Sequence, residues 1–323
     1  MSNKSLIIPT SSINNDLINP DAFKNQEILS IVIDPKKTFN YLDISSGSRA
    51  DYKYRLGLFL NFMRNKSLSL NCLLEYKRYL KNLINYSTAT KNHYLLVGLK
   101  LLREYHRQGI LKRDITSNIE LFKEEKNKMK VEEFNEQEMT KILNALKELP
   151  NTKENSRLKA MMSLLIFQGL RLIELTRIDY PADVDFGNKI IQIQGKGKEY
   201  KQPVDLHPKT IAELKKYVST NGIKSGSLFF CKSNRNLHQK ITTSGIRKII
   251  KKFLKSLGID RNIHAFRHSF CGMLALNKNL TTLDMAQFSR HSNPAQLQAY
   301  IDRRKFKSKI PEFYKCFRGW NMR

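Results

Sequence analysis

Cysteine is scarce in this 323-residue chain: Cys72, Cys231, Cys271 and Cys316 stand apart with no C-x-x-C pair. That spacing argues against a disulfide framework or a zinc ribbon and suits a reducing cytosol. Long apolar runs are also missing. The most apolar stretch, Ala160 to Phe167, is too short to span a bilayer, and the N-terminal MSNKSLIIPTSSINNDL lacks a basic region followed by an apolar core; a soluble, cytoplasmic protein with no membrane partner is expected. Acidic side chains are few, 29 against 57 Lys plus Arg, giving a formal net charge of +28. Such an excess goes beyond what solubility needs and suits a polyphosphate partner, nucleic acid first, although a lysine-rich solvated surface would carry the same charge. The charge is spread along the chain rather than gathered on one amphipathic helix, which argues against a membrane-surface protein.

What is present is enough apolar content, 41% of residues, to bury a sizeable core, and the length favours two domains. Residues 1–48 are rich in Ser, Asn and Pro with weak periodicity, and read as an N-terminal extension rather than a basic arm, because Lys4 and Lys24 face Asp16, Asp21, Glu27 and Asp34. Residues 49–125 read as a helical domain of about four short helices. Leu56, Phe59 and Met63 recur at helical spacing, as do Leu73, Tyr76, Leu80 and Leu83. Ser87 is the expected cap of a long helix with Leu95, Leu96, Leu99 and Leu102 as its buried stripe, ended by Gly109. The charged stretch around KEEKNKMKVEE places a linker over 126–135. Beyond it, Asn135 with Glu138 signals a helix start, a second helix runs to Gly169, and KIIQIQ with the run Tyr200 to Val204 forms a hairpin around GKGKE. Helices return over Pro208 to Val218, Thr242 to Lys255 and Ile263 to Leu276.

Breaking a phosphodiester without a metal needs a nucleophile, fixed cations for the non-bridging oxygens, and an acid for the departing oxygen. Arginine suits the second task, lysine the third, and a tyrosine can serve as the first. His264 and Arg267 lie three apart on an expected helix and share a face. A zinc pair, His264 with His268, resembles H-E-x-x-H except that Ala265 stands where the glutamate is required. Taken singly, Arg171, Lys196 and Lys198 read equally well as surface residues and Tyr300 as a packed aromatic.

Together, GLRLIEL (169–175), GKGKE (195–199), His264-Ala-Phe-Arg267-His268 and His291-Ser-Asn-Pro-Ala-Gln-Leu-Gln-Ala-Tyr300 resemble the tyrosine recombinase, or phage integrase, family, and within it the Xer-like members. In that family an arginine follows Gly-Leu, a lysine lies in a β-hairpin, H-x-x-R comes next, and a His or Trp stands nine residues before the nucleophilic tyrosine. Arg171, Lys196, His264, Arg267, His291 and Tyr300 match in order. The chain departs from the common pattern at Ser289-Arg290, where many members carry Leu-Gly, and at Tyr300-Ile-Asp.

The resemblance implies a mainly α, two-domain C-shaped DNA clamp: a helical core-binding domain, then a mixed α/β catalytic domain with a small antiparallel sheet over 136–305. It implies Tyr300 as nucleophile through a 3′-phosphotyrosyl link, Arg171 and Arg267 on the phosphate, Lys196 as acid, and His264 and His291 as orienting or proton-moving groups. Glu174 is expected to hold Arg171, and His268 to support the site indirectly. Lys91, Lys198 and Lys240 are expected DNA contacts. No ATP or metal cofactor is implied. The implied partners are duplex recombination sites, a tetramer of this chain exchanging strands through a Holliday junction, and a possible accessory or activating protein. The tail over 306–323, with Ile310, Phe313, Phe317 and Trp320 in a stripe, is expected to dock on a neighbouring subunit; Tyr314 beside it is a rival nucleophile better read as packed. Competing readings are a mobile-element integrase, a telomere resolvase or type IB topoisomerase, a silent architectural DNA-binding protein, and a zinc enzyme using His264, His268 and Cys271.

Overall fold

A computed structural model describes residues 16–123, 132–195, 197–231 and 239–302. The chain divides into two compact units, with the division between Lys128 and Met129.

In the first unit, α1 (Gln26–Ile33), α2 (Ser46–Met63), α3 (Cys72–Asn82) and α4 (Thr88–Arg107) surround one apolar core. The expected start signal holds for α4, where the Ser87 hydroxyl accepts from the Thr90 amide. Gly109, in the left-handed region, follows its end. Leu56, Phe59 and Met63 from α2 and Leu73, Tyr76 and Leu80 from α3 are buried. The stripe on α4 is wider than its spacing suggested: Tyr94, Val97, Leu101 and Tyr105 join Leu95, Leu99 and Leu102, while Leu96 is only half-buried. The helix is thus central, packed against both α2 and α3.

The sequence reading needs correcting at both ends of this unit. Residues 17–42, set apart above as extension, contribute Leu17, Ile18, Ile31, Val32 and Phe39 to the core. They do so through α1 and two 3-10 helices, Pro20–Lys24 and Pro35–Tyr41, each with proline near its start and an Asx cap. Between residues 46 and 107 there are three α-helices rather than about four. The expected linker over 126–135 lies outside the described residues as far as 131, and Phe134 already belongs to the second unit: its amide donates to the Ser269 hydroxyl at 2.9 Å and its ring lies 4.4 Å from that of Phe266.

The second unit contains α5 (Glu136–Glu148), α6 (Lys153–Phe167) and α7 (Leu172–Leu175). Then come β1 (Asp179–Tyr180), β2 (Val184–Asp185), β3 (Ile190–Gln194), β4 (Lys201–Asp205), α8 (Pro208–Asn221), β5 (Gly226–Ser227), α9 (Thr243–Ser256), α10 (His264–Leu274) and α11 (Thr282–Ser289), followed by a helix over 295–302. Asn135 and Glu138 form the expected capping box of α5. Helix α6 is buried on several sides through Leu158, Met161, Met162, Leu164 and Leu165, and packs along α8. Strands β2, β3 and β4 form an antiparallel sheet, with Ile191 and Ile193 pointing into the core as the period of two requires. The expected hairpin is therefore present, with β2 added at its edge. Helix α9 buries Ile246, Ile250, Phe253 and Leu254 along one stripe. A smaller cluster, Cys271, Met285, Ala286, Leu297 and Tyr300, joins α10, α11 and the 295–302 helix. Among the described residues no helix is long and apolar enough to cross a membrane.

Candidate active site

The site is organised around the turn that follows α6. Gly169 takes a left-handed conformation, φ 57°, which turns the chain so that Arg171 starts the short helix α7. Three residues on, Glu174 is fully buried. Its carboxylate accepts from the Arg171 amide at 2.8 Å and from Arg171 Nη1 at 3.1 Å. The Arg171 side chain remains 27% exposed and lines a cleft. The expected link between Glu174 and Arg171 is thus seen as a direct ion pair.

Helix α10 brings Arg267 to the same turn, 2% exposed, with Nη1 donating to the Gly169 carbonyl at 2.7 Å and Nη2 to the Ser289 carbonyl. Burial, then the nearby Arg171 and Arg290, lower its pKa to about 10, which still leaves it charged at neutral pH. Its Nη2 also lies 3.4 and 3.5 Å from the ring nitrogens of His291. The Ser289 hydroxyl donates its proton to the Met285 carbonyl at 2.6 Å, so at 2.7 Å from His291 Nδ1 it acts as acceptor. His291 Nδ1 therefore carries the hydrogen and Nε2 the lone pair. Desolvation first, and then Arg267 and Arg171, push the His291 pKa down to about 4, so the ring is neutral.

His264 opens α10 and is exposed; desolvation, Arg267 and Arg171 hold it below the usual histidine value. Its ring meets that of His268 edge-on at 4.7 Å. His268, expected in an indirect role, is in direct contact with Tyr300: the phenol and His268 Nδ1 share a hydrogen bond. Desolvation lowers the His268 pKa to about 4, so the ring is neutral, and in the tautomer with its hydrogen on Nε2 the Nδ1 lone pair accepts from the phenol. Tyr300 is 3% exposed, and burial raises its pKa. The structure thus gathers Arg171, Arg267 and His291 at one turn, and pairs Tyr300 with His268 beside it. A cleft of about 510 Å³ is lined by Arg171, Glu174, Lys198, Gln202, Arg290 and His291 among others.

Lys196 lies outside the described residues, as do Cys316, Tyr314 and the tail stripe. Of the expected DNA contacts, Lys198 is exposed at the cleft, 5.6 Å from the Tyr200 ring. Lys91 donates to the Lys81 carbonyl at 2.8 Å, and Lys240 pairs with Asp179 at 2.9 Å. Arg290 escaped sequence reasoning as a member of the site, and His268 was expected there only in an indirect role. In the sequence Arg290 stands only as a departure from the family pattern, yet its side chain is 5% exposed and pairs with Glu174 at 3.3 Å. The direct His268–Tyr300 bond spans 32 residues; the only sequence signal was that His268 lies one turn beyond His264 on α10. Among the described residues no group of three or more His, Cys, Asp or Glu side chains is arranged to hold a metal ion.

Comparison with known proteins finds a family match over the second unit. The phage integrase family model matches residues 132–306, more than half of the chain. Tyrosine recombinase XerA of Pyrococcus horikoshii is 26% identical over 255 residues, covering 75% of this chain and 86% of the relative. Tyrosine recombinase XerD of Oceanobacillus iheyensis is 28% identical over 264 residues, covering 70% and 86%. A solved XerH site-specific recombinase, bound to palindromic difH substrate in a post-cleavage complex, superposes with a TM-score of 0.68 at 18% identity, covering 97% of this chain and 90% of that one. The chain belongs to the phage integrase family, the tyrosine recombinases, enzymes that cleave and rejoin DNA.

Proposed function

We propose that this chain carries out site-specific DNA recombination through a 3′-phosphotyrosyl bond on Tyr300. The observation that carries the reading is the convergence of Arg171, Arg267 and a neutral His291 on the Gly169 turn, beside the helix that bears Tyr300. Charge that grows on the non-bridging oxygens of a phosphodiester is met there by cations already fixed by the fold, which avoids reorganisation during the reaction.

In the first step the Tyr300 oxygen bonds to phosphorus and the P–O5′ bond breaks. The phenol proton passes to a neighbouring base, for which His268 Nδ1 stands in hydrogen-bond contact. The departing 5′ oxygen takes a proton from Lys196. A 5′-hydroxyl of the partner strand then attacks the same phosphorus and releases Tyr300, so the phosphoester bond energy is kept and neither ATP nor a divalent metal is consumed.

The net charge of +28 supplies sequence-independent affinity for duplex DNA. Strand exchange in pairs requires four active sites, hence a tetramer on two DNA sites, with the tail over 306–323 docking between subunits and an accessory protein as a further control. The similarity to XerA and XerD favours Xer-like resolution, with mobile-element integration or excision as the neighbouring role. A silent architectural protein would have no use for the convergence of these groups.

The test uses a duplex selected from a random pool by binding to the chain and nicked at successive positions across the site, so that a cut strand diffuses away. The wild-type chain forms a covalent adduct in the presence of chelator, and Tyr300→Phe forms none. No adduct from the wild type, or an adduct from the variant, overturns the proposal.

A further inference from the structure

Arg290 occupies a backbone position where an arginine is at a disadvantage. It caps α11 in the left-handed region, φ 56° and ψ 42°, a conformation that glycine adopts freely and other side chains at a cost. The side chain is nevertheless folded inward, 5% exposed. Nη1 donates to the carbonyls of Gln168 and Phe288 at 3.2 and 3.3 Å, and Nη2 to the Gly169 carbonyl at 3.4 Å and to Glu174 Oε2 at 3.3 Å. Among the described residues its Nε is buried without a hydrogen-bond partner. A strained backbone and a buried cation together are costly, and a role confined to making the turn would be served better by glycine.

Glu174 is the group that gives the arrangement a purpose. It is fully buried, and its Oε1 accepts from Arg171 Nη1 while Oε2 accepts from the Arg171 amide and from Arg290. Two guanidiniums therefore share one carboxylate. Removing Arg290 leaves the whole buried negative charge facing Arg171 and vacates one acceptor position on Oε2, beside the bond from the Arg171 amide, so that the carboxylate can close on the Arg171 guanidinium as a two-pronged pair. Arg171 would then turn its donors inward and lose them for a ligand. The Gly169 carbonyl ties the same device to Arg267, which donates to it at 2.7 Å from Nη1.

We propose that Arg290 is a positioning residue of the phosphate pocket: by taking half of the Glu174 charge and pinning the Gln168–Gly169 turn, it keeps the Arg171 guanidinium open toward the cleft for a DNA phosphate. This rests on the recombinase reading for the ligand, though not for the clamp itself. Arg290 acts through Arg171 and Glu174 and is not required to touch DNA.

The experiment compares the full-length wild type, Arg290→Gly, Arg290→Lys and Glu174→Gln/Arg290→Gly, reading DNA affinity, single-turnover adduct formation on the selected nicked duplex, and thermal melting of the protein alone. Arg290→Gly, which relieves the turn, binds DNA within about 3-fold of wild type, and its adduct formation falls about 100-fold, the scale of a misplaced reacting group. Arg290→Lys recovers part of that rate. Glu174→Gln, added to Arg290→Gly, raises both the rate and the melting temperature, the latter by about 4 °C, because the buried charge that Arg171 alone would have to balance is gone. Arg290→Gly with the wild-type rate overturns the proposal, as does a double variant whose losses merely add. A wild-type chain that forms no adduct contradicts the recombinase reading instead; the melting comparison then decides the clamp alone, its rescue supporting the clamp and additivity overturning it.

Discussion

Gly169→Ala is the substitution whose cost can be worked most directly from the structure. At φ 57° an alanine pays for a left-handed backbone, roughly 1–2 kcal/mol. Its new Cβ would also lie 2.4 Å from Phe270 Cδ1 and 2.7 Å from Cγ, a contact that forces the ring or the turn to move and adds roughly 1–3 kcal/mol. Gly222→Ala is the internal control, because Gly222 has nearly the same φ, 62°, with nothing within 4 Å of the added Cβ. In a unit of this size each kcal/mol lowers the melting temperature by about 2–4 °C, so calorimetry should find losses of about 10 °C for Gly169→Ala and about 4 °C for Gly222→Ala. The excess should shrink when Phe270→Ala is already present. The Gly169 carbonyl anchors Arg267, so adduct formation at a temperature where both variants are folded should fall about 100-fold in Gly169→Ala alone. Equal losses in the two glycine variants, or an excess unchanged by Phe270→Ala, would refute the steric argument.

Stability should fall on acidification through a defined window. His268 and His291 have folded pKa values near 4, below the unfolded value; the unfolded state binds more protons, so their contribution is lost as pH falls from about 6.5 toward 4, and His268→Asn/His291→Asn should flatten melting temperature against pH over that range. Lys198 is exposed at the cleft beside the Tyr200 ring whereas Lys240 is held by Asp179, so Lys198→Ala should reduce the slope of log affinity against log salt by about 1 and Lys240→Ala by less, as read by fluorescence anisotropy. Deleting residues 306–323 should preserve binding to a single site and weaken assembly on paired sites in sedimentation; unchanged assembly would remove the tail from the account.

How far the sequence discloses this molecule depends on the range of the interaction concerned. Local signals are legible: the Asn135–Glu138 capping box, the Ser87 cap and the alternation through Ile191 and Ile193 each act within a few residues and reappear as written. Residues 17–42 were not legible as core, because Ile18, Ile31 and Phe39 are presented by 3-10 turns and one short helix whose periods do not sum to a single stripe. The order and spacing of Arg171, His264, Arg267, His291 and Tyr300 mark the site, whereas its wiring rests on long-range contacts. Arg290 reaches Glu174 across 116 positions, and Arg267 reaches Gly169 across 98. Nothing local to Ser289-Arg290 announces that the arginine turns inward at a position suited to glycine.

The central claim is that Tyr300 becomes the covalent link, and the most direct measurement is peptide mapping of the trapped adduct after the DNA is trimmed by nuclease and the protein digested with trypsin. The expected product is a peptide spanning residues 291–303 that carries a nucleotide through a 3′-phosphate on Tyr300. A nucleotide on Tyr314 or any other residue, or one joined through a 5′-phosphate, would contradict it.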